Sequence, residues 1–178
     1  MTGSPWADAW AGEPRTLRTG HLDRADLLLR LGEAKVALNA FAALLLADTV
    51  PVRAGVPVDV RVTVRTVAGL GLGRGGPLAQ VHDALPPGLA PCPLDLGPYL
   101  RLAHAHQPDA PDSLLSAGRS PTAALHVLGP PQSQDPTYPR GYYLRAVDGV
   151  PWLRGFRCDD DYVLPGDHAL VLARVGAA

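Results

Sequence analysis

The stretch from Val56 to Gly76 constrains the fold of this chain more than any other. It opens with a strict alternation in which one side carries Val56, Val58, Val60, Val62 and Val64, and the other carries Pro57, Asp59, Arg61, Thr63 and Arg65. β-Branched side chains at a period of two predict a half-buried strand. The strand runs into a glycine-rich loop, and an apolar-periodic segment from Leu78 to Leu85 follows Pro77. The stretch therefore predicts a strand, a glycine loop and a helix start, in that order.

Composition limits the class of protein. A chain of 178 residues with a hydrophobic fraction of 47% is typical of one globular domain. Its 19 Gly and 19 Pro favour short elements joined by long loops. The formal net charge of -1 gives no general attraction to nucleic acid, which makes nucleic acid an unlikely partner. The chain has no Ile and a single Lys, Lys35, a bias typical of GC-rich codon usage, so the preference for Arg carries little information about function.

The sequence also indicates a location. The N-terminus has no basic segment leading into an apolar core, and the longest apolar stretch, Val36 to Ala47, is too short to span a bilayer. Cys92 and Cys158 form neither a metal-binding pattern nor a disulfide framework. We therefore expect a soluble cytoplasmic protein with no membrane association.

The N-terminal third predicts an arm followed by helix. Residues 1–20 read as a flexible arm with Trp6 and Trp10, and residues 21–178 as a single domain. From Asp23 to Asp48 the apolar residues form one stripe, which predicts one helix or two helices joined near Gly32. The spacing favours packing against the core, and a helix-mediated homodimer is the alternative.

The C-terminal third predicts a β-hairpin and a last strand. Asp148-Gly149 is the preferred two-residue turn between Tyr142–Val147 and Val150–Phe156. His168 to Val175 is apolar on both sides, which is typical of a strand inside a sheet. We predict an α+β fold: an N-terminal helix or helical hairpin packed on a mainly antiparallel β-sheet, with long Pro/Gly-rich loops.

The hairpin predicts the most distinctive surface. Its register pairs Arg145 with Trp152 and Tyr143 with Arg154, so one face would carry two arginines and two aromatic rings. Such side chains form cation–π pairs and can hold an anionic or planar ligand. We interpret this face as the ligand-binding surface for a small anionic ligand or a protein partner. The structural alternative is amphipathic side chains that only cover an exposed sheet.

The glycine loop offers a second site. Gly69, Gly71 and Gly73 with Arg74 stand between a strand and a helix start, where backbone N–H groups can bind a phosphate. The Lys and Ser/Thr of a Walker loop are absent, because Arg74 and two glycines stand there instead. The structural alternative is a flexible connection or hairpin tip.

The loop also resembles the acyl-CoA pyrophosphate loop of the GNAT acetyltransferase superfamily. Ala68 to Arg74, read as AGLGLGR, occupies the place of that family's Arg/Gln-x-x-Gly-x-Gly/Ala turn. The resemblance covers about 20 residues and implies a transferase with acyl-CoA bound at Gly69 to Gly76. The chain departs from the pattern, since Thr66 or Ala68 replaces the basic or amide residue before the glycines.

Two clusters could hold metal ions. His104 and His106 would share one face of a strand and chelate Zn²⁺ with a third ligand, but they would diverge on a helix. Asp159 to Asp161 could attract Mg²⁺ or Ca²⁺, although consecutive acids more often mark a solvated turn.

No nucleophile lies in a Gly-x-Ser-x-Gly elbow. We therefore expect a non-catalytic binding or regulatory module that works through the hairpin. A transferase that uses the glycine loop, and a metal-dependent hydrolase built on the two histidines, are the alternatives.

Overall fold

A computed structural model describes residues 15–115 and 120–176. The first fourteen residues of the predicted arm, with Trp6 and Trp10, lie outside the described residues. The strands of the described part are β1 (Arg15–Thr19), β2 (Ala37–Leu38), β3 (Val58–Thr66), β4 (Gly76–Pro77), β5 (Leu89–Ala90), β6 (Leu125–Val127), β7 (Gly141–Val147), β8 (Val150–Phe156), β9 (Val163–Leu164) and β10 (Ala169–Arg174). Its α-helices are α1 (Arg24–Glu33), α2 (Ala40–Thr49), α3 (Leu78–Asp83) and α4 (Leu96–Ala103).

One curled sheet dominates the fold. Its strand order is β1-β3-β10-β6-β7-β8-β2, and β5 also pairs with β10. All pairs are antiparallel except β10 with β6 and β8 with β2. The prediction of a mixed α+β fold with a mainly antiparallel sheet is confirmed. Because β3 pairs with β10, the two halves of the chain share this sheet.

The alternating valines form β3, which begins at Val58 rather than at Val56. Val60, Val62 and Val64 are buried, whereas Val56 and Val58 are 84% and 53% exposed. Thr63 on the opposite side of the strand is also fully buried. The strand is therefore half-buried, as predicted, except at Thr63, where both faces are covered.

The apolar stripe from Asp23 to Asp48 forms two helices with β2 between them. Asp23 caps α1 and Asn39 caps α2, each by a side-chain oxygen that accepts a backbone N–H bond. The first helix ends after Gly32, and Lys35 then takes a positive φ of 54°. The break therefore lies a few residues beyond the glycine.

Two clusters of buried side chains lie on opposite faces of the main sheet. The larger one joins α1, α2 and α4 to the sheet; its members include Leu27, Leu31, Leu45, Leu46, Leu96, Leu100, Val62, Leu144 and Val171. The smaller one joins the glycine loop and α3 to β10; its members are Val67, Val81, Leu128, Leu164, Leu170 and Leu172. Even residues of β10 thus face one cluster and odd residues the other, which explains why this strand is apolar on both sides.

The hairpin forms as predicted. Val147 pairs with Val150, Arg145 with Trp152, and Tyr143 with Arg154. Asp148 and Gly149 take positive φ angles of 51° and 74°, as a primed two-residue turn requires. The order of β7 and β8 and their facing residues therefore follow from local sequence.

No helix in residues 15–115 or 120–176 combines the length and the apolar character that crossing a membrane needs.

Candidate functional site

A row of polar and aromatic side chains crosses three strands on the sheet face opposite the large apolar cluster. His126 on β6 pairs with Tyr143 on β7, and Tyr143 pairs with Arg154 on β8. Phe156 lies two residues beyond Arg154 and therefore on the same face. The row forms the floor of a cleft.

The cleft has a volume of about 550 Å³, which is within the range of small-molecule sites. Its walls come from the start of α2, from both sides of the 116–119 segment, from the β8–β9 connection and from the loop before β7. The lining residues are Asn39, Phe41, Leu115, Ser120, Pro121, His126, Pro136, Thr137, Tyr143, Arg154, Gly155, Phe156, Arg157, Cys158, Asp159, Tyr162 and Leu164.

Two arginines place positive charge on the cleft. The Arg154 guanidinium stacks on the Trp152 ring at 5.0 Å, and its Nε donates to the Tyr143 hydroxyl at 2.9 Å. The Arg157 guanidinium lies 4.8 Å from the Phe41 ring centre. In the part of the chain that the structure describes, no carboxylate lies within 4.0 Å of either guanidinium. Asp159 also lines the cleft, so the local balance is positive by one charge.

Three rings pack around His126. It stacks on Tyr143 at 4.9 Å with an interplanar angle of 19°, and it meets Phe156 edge-on at 4.9 Å. Its ring centre is 3.9 Å from that of His168. Burial lowers the pKa of His126 well below its usual value, and the neighbouring His168 lowers it further. Burial also lowers the pKa of His168 to about 4. Both imidazoles are therefore neutral near neutral pH.

Asn39 joins the helical layer to the cleft. Its Oδ1 accepts from Ala42 N at 2.9 Å and from Gly155 N at 2.8 Å, and its Nδ2 donates to Gly155 O at 2.9 Å. A Cβ on Gly155 would lie 2.6 Å from the carbonyl carbon of Phe41. The absent side chain lets α2 begin directly against β8, and this contact brings Phe41 to the cleft.

Other titratable groups of the cleft also favour their neutral forms. Burial raises the pKa of the Tyr143 hydroxyl against the opposing effect of Arg154. Burial raises the pKa of the Cys158 thiol, which Arg140 lowers and Asp159 and Asp160 raise. Beside the two arginines and Asp159, the cleft thus offers neutral hydrogen-bonding groups.

Of the four predicted hairpin residues, Tyr143 and Arg154 line the cleft, and Trp152 supports Arg154 from behind. Arg145 does not reach it. Its side chain is fully buried, and its guanidinium donates to Asp112, Leu114 and Thr122 of its own chain. We expected both hairpin arginines to lie on one exposed face. This expectation is wrong for Arg145, because the connection between α4 and β6 covers that part of the face. The predicted cation–π partner also changes, since Arg154 rather than Arg145 stacks on Trp152.

The glycine loop is folded against its own chain. The N–H groups of Gly69, Gly71 and Gly75 donate to Thr66 Oγ1, Ala68 O and Leu72 O. A Cβ on Gly75 would overlap the carbonyl oxygen of Leu164 across the β4–β9 pair. Arg74 is exposed, and the following helix, α3, has only six residues. These contacts explain why glycine is needed in the loop without invoking a ligand. The phosphate-binding role stays a prediction.

His104 and His106 do not lie on a strand. The segment is helical as far as Ala103, and His104 forms the C-cap. The shared strand face on which the zinc interpretation depended is therefore absent. Asp160 pairs with Arg140 at 2.7 Å in the β8–β9 connection. Across residues 15–115 and 120–176, no three His, Cys, Asp or Glu side chains form a group that could hold a metal ion.

Sequence reasoning missed His126, Phe41 and Phe156 as cleft residues. Phe156 had a usable signal, because it shares the period-two face of Trp152 and Arg154. His126 did not, because the short apolar segment from Thr122 to Leu128 fits either a helix or a strand, and its sequence does not choose between them. Phe41 reaches the cleft only through the Asn39–Gly155 contact, which joins residues 116 positions apart in the sequence.

Comparison of the chain with protein-family models, with curated proteins and with solved structures gives no match.

Proposed function

We propose that this protein is a binding module that holds a small planar anion in the cleft between β6–β8 and the start of α2. The observation that carries the proposal is the pairing of Arg154 and Arg157 with aromatic rings around a volume of about 550 Å³. A carboxylate or sulfonate would meet the guanidinium groups, and an attached ring would pack against Phe41 or Phe156.

The unbalanced charge supports an anionic ligand. Only the Nε of Arg154 bonds to the described chain, at Tyr143, which leaves its terminal nitrogens available as donors. Arg–carboxylate contacts are stronger and more directional than neutral hydrogen bonds. The Trp152 ring beneath Arg154 holds the guanidinium in place before a ligand arrives, which reduces the entropy lost on binding.

The protonation states support recognition over catalysis. His126 is a weak base because burial lowers its pKa. Cys158 is held as a thiol, since burial raises its pKa. Efficient acid–base or nucleophilic groups instead have pKa values near the working pH or are activated by a neighbour. The transferase alternative has less support, because several glycine N–H groups of its loop already have partners within the chain.

Calorimetric titration with naphthoate and with neutral naphthalenemethanol tests the proposal. The two compounds share one ring system and differ in charge. We expect naphthoate to bind at one site per chain and the alcohol to bind at least about tenfold more weakly. Arg154→Met and Arg157→Met should each reduce the affinity for naphthoate by about tenfold, since each removes a cation.

Arg53→Met is the matched control, because Arg53 is exposed and lies outside the cleft. It should leave naphthoate binding unchanged. Equal binding of the acid and the alcohol, or full affinity in Arg154→Met and Arg157→Met proteins that remain folded, would contradict an anion site in the cleft.

A further inference from the structure

Three arginines line a second hollow on the same sheet face as the cleft. Arg61 and Arg65 lie on β3, and Arg174 ends β10. The register pairs Leu170 with Arg65 and Ala173 with Val62, so its continuation by one residue places Arg174 opposite Arg61. Alternate residues of a strand share a face, and all three arginines therefore project to the same side.

These charges have no counter-charge. Among the described residues, no carboxylate lies within 4.0 Å of the three guanidinium groups. Arg18 on the neighbouring strand β1 differs, because the strand register places it opposite an acidic residue, Asp59. Like charges directly opposite one another destabilise a sheet. We therefore expect the Arg61–Arg174 pair to destabilise the folded state, and a bound anion to reduce this repulsion.

The three arginines form one side of a groove of about 440 Å³, and a backbone turn forms the other side. The wall is the Pro86–Leu89 turn with residues 175 and 176. Leu89 N donates to Pro86 O at 3.1 Å, and Val175 N donates to Gly88 O at 3.1 Å. The β5–β10 pairing holds the same turn against the sheet. The groove is thus shaped by backbone hydrogen bonds and not only by mobile side chains.

Arg65 is oriented within the groove. Its Nη1 donates to Thr63 Oγ1 at 3.2 Å and to Val64 O at 2.9 Å. Thr63 lies between Arg65 and Arg61 on the same face of β3, so the bond draws the Arg65 side chain along the strand towards Arg61. In the described chain, the remaining nitrogens of Arg65 make no hydrogen bond, which leaves them for a ligand.

We propose that Arg61, Arg65 and Arg174 bind the phosphate group of a small phosphorylated molecule. The planar fork of a guanidinium matches the oxygens of a phosphate, and several arginines together stabilise more than one negative charge. A volume of about 440 Å³ suits a small ligand. The formal net charge of -1 gives no general attraction to a nucleic-acid polymer.

This groove is separate from the cleft. Arg65 pairs with Leu170, Leu170 with His126, His126 with Tyr143, and Tyr143 with Arg154. Arg65 and Arg154 thus stand at the two ends of one row across five strands. Four inter-strand spacings amount to about 19 Å. A phosphate in the groove would not contact the Arg154 guanidinium, and the two sites can be tested independently.

Calorimetric titration and thermal unfolding with inorganic pyrophosphate, against sodium chloride of equal ionic strength, test the proposal. We expect pyrophosphate to bind at one site and to raise the melting temperature more than chloride does. The double variant Arg61→Met/Arg174→Met should lose at least about tenfold in affinity. Without pyrophosphate its melting temperature should equal or exceed that of the wild type, because the like-charge pair is gone.

Arg18→Met is the control, because Arg18 lies on the same sheet face as the three arginines but stands opposite an acid, Asp59. It should retain pyrophosphate binding, and the double variant should retain naphthoate binding. The proposal is overturned if chloride stabilises as well as pyrophosphate, or if the double variant keeps its affinity. The protein could instead bind single-stranded DNA more tightly than pyrophosphate and lose this binding in the double variant. That result would contradict a small phosphorylated ligand and identify a nucleic acid as the partner.

Discussion

At the scale of single residues, the protein buries both arginine and histidine side chains, and the two have different consequences. Arg145 is fully buried, and its guanidinium bonds to the connection between α4 and β6. Its Nη2 lies 2.8 Å from an Asp112 carboxylate oxygen. The bond from Thr122, followed by that from Arg145, lowers the pKa of Asp112 to about 2. Arg145 therefore fastens a long connection to the hairpin, which is a structural role.

Arg145→Lys should destabilise the protein by about 3 kcal/mol, because an ammonium cannot reach the same acceptors and leaves buried carbonyl groups unpaired. Chemical denaturation measures the change in the free energy of unfolding. Arg30→Lys, at an exposed position of α1, should change it by less than about 0.5 kcal/mol. An Arg145→Lys protein as stable as Arg30→Lys would show that the network contributes little.

His168 makes the protein sensitive to acid. Burial lowers its folded pKa to about 4 from an ordinary 6.5, so the unfolded chain binds more protons between these values. Stability is therefore lost as the pH falls through this range. From about pH 7 to about pH 5 the loss from this residue is about 2 kcal/mol.

His168→Leu should remove most of that loss, because leucine has no proton to gain. Denaturant unfolding at the two pH values gives the difference for each protein. His106→Gln, which changes an exposed histidine, should keep the wild-type pH dependence. If the slope between the two pH values is the same in His168→Leu and wild type, the imidazole is not responsible.

At the scale of elements, the contact between α2 and β8 builds the cleft. Asn39 caps the helix and binds both backbone groups of Gly155 with the same amide. A helix start and a strand are thereby joined without an intervening side chain. This contact positions Phe41 under Arg157.

Gly155→Ala should cost about 2 kcal/mol or more, because the new methyl group would lie 2.6 Å from the Phe41 carbonyl carbon and 2.8 Å from Ala42 N. Gly32→Ala is the matched control. Nothing lies within 4 Å of a Cβ at Gly32 in α1, so alanine there should stabilise by about 0.5–1 kcal/mol. Thermal unfolding of both variants checks the opposite signs, and equal effects would contradict the tight contact.

The elements also show what sequence can predict. The hairpin register followed from Asp148-Gly149, because a two-residue turn fixes the pairing of its strands. Which hairpin residues are exposed could not be predicted from the turn. Arg145 is covered by residues 23 to 33 positions earlier in the chain, and no local sequence pattern indicates that contact. The cleft required β6 beside β7 and α2 against β8, and neither pairing is encoded by a periodic pattern. Arg154 and Tyr143 were found because their positions depend on the hairpin alone.

At the scale of the whole molecule, the two faces of the main sheet serve different purposes. One face is apolar and covered by α1, α2 and α4. The other carries the smaller apolar cluster between two positively charged hollows, the cleft and the groove. A chain with a net charge of -1 thus carries two local concentrations of positive charge, which we propose as anion sites.

The most direct test of the proposed function is amide chemical-shift mapping of the full chain titrated with naphthoate. We expect the largest changes on cleft residues, among them Tyr143, Arg154, Phe156 and Arg157, and we expect the Arg154→Met protein to need about tenfold more naphthoate to show them. Changes centred on Gly69 to Gly76 would favour the glycine loop. Either that result or the absence of any localised change would contradict the cleft as the binding site.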